Sequence, residues 1–204
     1  NLGYEAFFRG TKTIRENRVK YQCNIPWLIL FDPTSACNMH CVGCWAGEYG
    51  HKNNLSFDDM DKIVTEGKEL GVYLYMLTGG EPLVRSDIVP LVRALGEIPG
   101  IEDMSLTTNA TLLASIAKEL YEAGIHRINI SLDTLDAEKY AKITRGGKLS
   151  DAFDGIRAAF EAGMSPVKLN TVLIGGFNDD EIASLAELTL HYPVQLRFIE
   201  LMPI

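Results

Sequence analysis

Short apolar runs alternate with amphipathic stretches from one end of the chain to the other, the pattern left by parallel strands joined by crossover helices. Six runs read as strands: Trp27 to Phe31, Tyr73 to Leu77, Asp103 to Thr107, Arg127 to Ser131, Val167 to Val172 and Gln195 to Ile199. Between them apolar positions recur at helical spacing near 57–70, 87–97, 112–123, 150–162 and 179–190. Ser56, followed three residues later by Asp59, gives the first of these a capping-box-like start, and Gly71, Gly124 and Gly163 stand where three of them should stop. No linker or low-complexity segment divides the series, so residues 27–204 read as one core domain, preceded by a helical extension over residues 1–26.

Six β/α units are fewer than a closed eight-stranded barrel requires. The expected fold is α/β: a partial (β/α)6 barrel of the TIM type, with parallel strands and truncated at the C-terminal end. A doubly wound sheet is the alternative. Both place functional residues where the strands end and the loops into the helices converge.

Composition narrows the function classes. With 204 residues, 47% hydrophobic and 23% charged, the chain can bury a sizeable core. A net charge of -8 and a pI near 5.0 exclude a broad basic footprint, so no nucleic-acid partner is expected and an anionic small molecule would need a local basic pocket. No apolar run is long enough to span a bilayer, and residues 1–20 mix charges without a signal-like apolar region. No membrane partner is expected, and the default location is cytoplasmic. The chain opens on Asn1 and stops at Pro203-Ile204, which reads as a fragment.

The most specific chemistry follows the first strand. Cys37, Cys41 and Cys44 occupy one loop, spaced by three and then two residues, while Cys23 stands apart and reads as a small core residue. Three thiolates on a four-iron cube leave one iron open to bind something else. Zinc, with His40 or Cys23 as fourth ligand, and a thioredoxin-like disulfide between Cys41 and Cys44 are rival uses of the same residues. After the second strand comes Thr78-Gly79-Gly80-Glu81-Pro82, whose paired glycines would let a ligand approach the main chain closely.

The Cys-x-x-x-Cys-x-x-Cys loop and the Gly-Gly-Glu-Pro segment one β/α unit later resemble the radical S-adenosylmethionine superfamily. The resemblance implies a 4Fe-4S cluster on Cys37, Cys41 and Cys44, with S-adenosylmethionine on the open iron and its amino group held by the backbone of Gly79, Gly80, Glu81 and Pro82. One electron from a flavodoxin- or ferredoxin-type reductase would cleave the cofactor to a 5'-deoxyadenosyl radical. No catalytic side chain beyond cluster and cofactor is then required.

Residues 77–204 are similar to the molybdenum-cofactor GTP 3',8-cyclase family. The similarity lies in Leu77 to Arg85, Leu106 to Asn109, Asn129 to Leu135, Val167 to Val172, Asn178 to Ile182 and Leu196 to Pro203. By matching position, Thr107, Asn109, Ser131, Asp133 and Met202 would serve the S-adenosylmethionine site, while Lys168 and Arg197 would face the GTP triphosphate. Charge-assisted hydrogen bonds suit that task, and Arg can bind phosphate in a bidentate fork.

The first 76 residues look more like a different radical S-adenosylmethionine branch. Leu30, Leu74 and Met76 stand where the cyclase family has basic residues, Gly43 replaces an aromatic residue with Trp45 just beyond, and Ala110 replaces a glycine. The alternative implied is a SPASM-like oxidoreductase acting on a peptide or other non-GTP substrate. Each missing charged contact costs about 1.5 to 3 kcal/mol, so weak GTP binding is expected.

Overall fold

The computed structural model describes residues 8–44, 46, 53–99, 101 and 103–201. Six strands form one parallel sheet: β1 (Leu28–Phe31), β2 (Leu74–Leu77), β3 (Ser105–Thr108), β4 (Arg127–Ser131), β5 (Val167–Leu173) and β6 (Val194–Glu200). Strand order follows chain order without reversal, which removes the switch point of a doubly wound sheet. β1 and β6 are opposite edges, so the sheet is an open, partial barrel.

Seven helices accompany it: α1 (Thr11–Tyr21), α2 (Phe57–Glu69), α3 (Ile88–Gly96), α4 (Ala117–Ala123), α5 (Ala137–Thr144), α6 (Leu149–Glu161) and α7 (Ile182–His191), counted among the described residues. The Ser56 hydroxyl accepts from the Asp59 amide at 3.1 Å and donates to the Asp59 carboxylate at 2.6 Å, fixing the start of α2. Gly124, at φ 119°, ends α4 in the left-handed conformation that a side chain would oppose. The helix expected over 112–123 is split into a 3-10 turn (Leu113–Ser115) and α4, and the one expected over 179–190 into a 3-10 turn (Asp179–Glu181) and α7.

Helix α5 is an addition to the pattern seen in sequence. The Asp136 carboxylate caps it, accepting from the amides of Glu138 and Lys139, and it buries Tyr140, Ile143 and Thr144. At eight residues it is too short to display a repeating apolar stripe.

The strands present two different faces. Phe31, Leu77, Leu106, Ile128, Ile130 and Leu169 pack into one core with Met60 and Val64 of α2, Leu91, Val92 and Leu95 of α3, Leu120 of α4 and Ile156 of α6. Alternate positions point into the lumen of the open barrel: Leu30 and Met76, then Thr107, Asn129 and Ser131, then Lys168, Asn170 and Arg197. The lumen is thus apolar along β1–β2 and mostly polar from β3 to β6, where Val172 and Ile199 are the apolar exceptions.

Two expectations change. Cys23 is exposed, because the polar turn after α1 carries it outward while Ile25 takes the core position beside Ile14 and Val72. Ala110 is fully buried at φ 65°, so the position where a glycine was expected does adopt the left-handed backbone. Among the described residues no helix is long and apolar enough to cross a membrane.

Candidate functional site

The cysteine loop leaves β1 at Asp32 and is tied to its surroundings by main-chain bonds. Ser35 N donates to Asn53 O at 2.8 Å and Leu55 N to Pro33 O at 3.2 Å, closing a short antiparallel bridge at Thr34 and Asn54. On the other side Gly80 N donates to Thr34 O at 3.2 Å and Glu81 N to Ala36 O at 2.7 Å. Further along, Val42 N donates to Ile143 O of α5 at 2.8 Å. The helix missed in sequence therefore anchors the segment between the second and third thiols.

These bonds give the paired glycines a role beyond ligand approach. A Cβ on Gly80 would lie 2.2 Å from Ala36 O, and one on Gly79, at φ 97°, would lie 2.8 Å from the Asp32 side chain. Neither position tolerates a side chain while the cysteine loop lies against it. With the amides of Gly80 and Glu81 engaged by the loop, the carbonyls of Gly79 and Gly80 receive no donor among the described residues. Free carbonyls are acceptors, the chemistry that an ammonium group needs.

Glu81 points away from the lumen. Its carboxylate is 1% exposed and accepts from Thr108 Oγ1 at 2.7 Å, Asn109 N at 2.7 Å and Leu83 N at 3.0 Å. Burial raises its pKa above the ordinary carboxylate range, against those three bonds. Any ligand contact from Glu81 comes from its backbone. Pro82 is buried as the first residue of a 3-10 turn (Pro82–Val84).

The other expected site residues gather at the strand ends. Asn109 donates to Asn38 Oδ1 in the cysteine loop at 2.9 Å, and Asn38 donates to Thr111 at 2.9 Å. Ser131 is exposed at the end of β4, and Asp133 just beyond accepts from Val172 N at 2.8 Å with its pKa raised by burial. Thr107 and Lys168 flank Asn129 on the lumen face. Arg197 Nη2 donates to Asn129 Oδ1 at 2.6 Å, and Asn129 Nδ2 donates to Ser105 at 3.0 Å. Met202 lies outside the described residues.

The three thiols form an electrostatically coupled set. Burial pushes the Cys41 thiol up to about 11, helped by Cys44, Cys37 and Asp133, and burial also raises Cys37. Cys44 is exposed, and no described cysteine is in a disulfide. Three thiols in one loop, two of them half-buried and one exposed, are the donor set of an iron-sulfur cube with one open iron. Among the described residues, no three ligating side chains are already drawn into a metal cage.

Two positioning groups carried no role in the sequence. Arg85 is 9% exposed; its Nη1 donates to Pro33 O at 2.5 Å and Leu55 O at 2.8 Å, while its other nitrogens bind Asp87. Glu181 accepts from Thr134 Oγ1 at 2.7 Å and Leu135 N at 2.7 Å, and Asn178 Nδ2 donates to Asp133 O at 2.7 Å. Together they fix the loop that carries Asp133. Both lie in segments singled out above, Leu77 to Arg85 and Asn178 to Ile182, and that was the available signal.

The chain is 50% identical over 188 residues to the GTP 3',8-cyclase of Pelotomaculum thermopropionicum, a match covering 90% of this chain and 58% of that protein. The GTP 3',8-cyclase of Heliobacterium modesticaldum is 47% identical over 176 residues, covering 84% and 54%. The chain spans a little over half the length of these curated relatives. A match over 90% of 204 residues cannot fit within residues 77–204, so the similarity also takes in much of the N-terminal part. Among solved structures, Streptococcus suis SuiB bound to S-adenosylmethionine superposes with a TM-score of 0.78 at 19% identity, covering 96% of this chain and 46% of that one. Methylornithine synthase superposes at 0.70 with 20% identity, covering 95% and 59%. At such identities these two speak to the fold. A family-level match runs over residues 31–189, from the end of β1 through most of α7, and with it the chain belongs to the radical SAM superfamily.

Proposed function

We propose that the chain is the catalytic core of a GTP 3',8-cyclase-like lyase of molybdenum cofactor biosynthesis. The observation that carries this reading is the 50% identity to a cyclase over 90% of the chain. The placement of Lys168 and Arg197 on the same lumen face supports it. The radical SAM family uses a 4Fe-4S cluster and S-adenosylmethionine, which supply reductive carbon-sulfur cleavage and hydrogen abstraction when bound.

The chain's own residues bind, orient and shield. Cys37, Cys41 and Cys44 would hold the cluster, each giving up its thiol proton as it ligates. The carbonyls of Gly79 and Gly80 would accept from the cofactor's ammonium, and Ser131, Asp133, Asn109, Thr107 and Met202 would complete its site. Arg197 and Lys168 would take the triphosphate. Reduction would come from a flavodoxin- or ferredoxin-type protein, and a cytoplasmic location suits three thiols left unpaired.

A second reading, a radical SAM oxidoreductase acting on a peptide or another non-GTP substrate, is favoured by one observation. The β1–β2 side of the lumen is apolar, with Leu30 59% exposed and Leu74 and Met76 half-buried. Calorimetry with GTP on the anaerobic, cluster-loaded full-length protein separates the two. Micromolar affinity that collapses in Arg197→Ala and Lys168→Ala supports the cyclase reading, and absence of binding supports the other.

A further inference from the structure

The turn joining α5 to α6 lies against the cysteine loop. Val42 N donates to Ile143 O at 2.8 Å, and a Cβ on Gly147 would lie 2.8 Å from the Met39 side chain, so the turn meets the loop on both sides of Cys41. The turn is well tied. Gly146 N donates to Ala141 O at 2.8 Å and Gly147 N to Thr144 Oγ1 at 3.0 Å, while that hydroxyl donates to Tyr140 O at 2.6 Å.

This turn is basic in an acidic chain. Lys142, Arg145 and Lys148 are all exposed, no carboxylate occurs between them, and the nearest along the chain are Glu138 and Asp151. None of the three side chains has an ion-pair or hydrogen-bond partner among the described residues, whereas Lys139, one turn back on α5, is neutralised by Asp180 and Glu181. Arg145 also takes the left-handed backbone, φ 57° and ψ 48°, at the end of α5, where glycine is favoured. A cation kept in that conformation without a partner in the fold points to a use outside it.

Val42, 55% exposed, and the exposed Gly43 lie between Cys41 and Cys44. An apolar spot beside unpaired cations is the make-up of a small transient interface, the size class of electron-transfer encounters. The chemistry behind it sets the partner. A cluster on the three thiols takes up a single electron, and electron transfer falls steeply with distance, so a carrier must approach the ligand loop itself. A net charge of -8 repels an acidic carrier from most approaches, and the other basic stretch, α1, packs beside Ile25 and Val72 at the opposite end of the strands.

We propose that Lys142, Arg145 and Lys148, with Val42 beside them, form the docking surface for an acidic one-electron carrier protein that reduces the cluster. The carrier is oxidised by one electron and the cluster reduced by one, with no atom passing between the two proteins. The inference rests on the cluster reading of the three thiols.

The test uses anaerobic, cluster-loaded full-length protein with a reduced flavodoxin of acidic composition as the probe, and bleaching of the cluster is followed by stopped flow. The combined variant Lys142→Glu, Arg145→Glu and Lys148→Glu should slow reduction roughly tenfold or more; the wild-type rate should fall as salt is raised, and the variant's should not. Iron content, S-adenosylmethionine binding and the cluster potential measured with mediator dyes should stay close to wild type, so that slower reduction reports docking and not driving force. The same charge change on α1, Lys12→Glu with Arg15→Glu and Lys20→Glu, should slow reduction by roughly twofold at most. Should the loop variant fail to load iron, Lys142→Gln with Lys148→Gln takes its place, with roughly a threefold slowing expected. An unchanged rate, or an equal fall in the α1 variant, overturns the proposal, as does loss of GTP or S-adenosylmethionine binding in the loop variant, which would assign the cations to a small ligand. Wild-type protein that takes up no iron refutes the cluster reading and the proposal with it, whereas iron-loaded protein whose reduction ignores these charges refutes the docking surface alone.

Discussion

Glu81 Oε1 and Thr108 Oγ1 lie 2.7 Å apart inside the core, joining the segment after β2 to the end of β3. The same carboxylate takes the Asn109 and Leu83 amides, so the turn bearing Gly79 and Gly80 is held from behind. Glu81→Ala would leave three donors around a buried carboxylate position without their acceptor, each costing about 1 to 3 kcal/mol. The expected result is a loss of at least 3 kcal/mol in denaturant unfolding. Glu81→Gln keeps one acceptor and should lose less. Equal stability of wild type and Glu81→Ala would show that the carboxylate does not support the turn.

Arg85 performs the corresponding task for the cysteine loop. Arg85→Ala leaves the carbonyls of Pro33 and Leu55 without their shared donor, and we expect about 2 to 4 kcal/mol of destabilisation together with reduced iron uptake on reconstitution. Lysine keeps the charge without the planar fork, so Arg85→Lys should restore stability only in part. Normal iron content in the Ala variant would separate the clamp from cluster assembly.

The thiols predict their own pattern of loss. Anaerobic reconstitution should give about four irons per chain, and alanine at Cys37, Cys41 or Cys44 should abolish uptake. Cys23→Ala should leave it intact, since Cys23 is exposed in a turn outside the loop. Stoichiometric zinc with no iron uptake would overturn the cluster assignment.

Acid stability should depend on the Glu181 latch. Burial pulls its pKa up, but Thr134, Lys139 and the Leu135 amide outweigh that and hold it below the ordinary value of 4.5. A depressed folded-state pKa means that the stabilisation is present above about pH 4.5 and is lost as pH falls through the folded value. Glu181→Gln should therefore be less stable than wild type at pH 7, with the difference shrinking below pH 4 in urea unfolding. A difference that stays constant down to pH 3 would rule out the charged latch.

The strands were legible because their two faces differ in chemistry. In β5, Val167, Leu169 and Thr171 are buried while Lys168, Asn170 and Val172 are half-exposed on the lumen side, an alternation that sequence displays directly. The cysteine loop was legible because its ligands are local. The supports were not: Glu81 meets Thr108 across 27 residues and Asn178 meets Asp133 across 45, pairings that exist only once the sheet has brought separate loops together. Helix α5 escaped for a different reason, since two turns carry too little periodicity to stand out.

The unbroken strand order sets a timetable for maturation. Every strand pairs with the strand made just before it, so each β/α unit can dock on its predecessor as synthesis proceeds, with little waiting for distant partners. The cysteine loop is the exception. It emerges early, yet it acquires its supports one after another: Gly80 after β2, Asn109 after β3 and Ile143 in α5. More than a hundred residues separate Cys37 from the last of these. Iron delivered before that point would meet an unbraced loop of reduced thiols, whereas iron delivered afterwards would meet a scaffold already aligned.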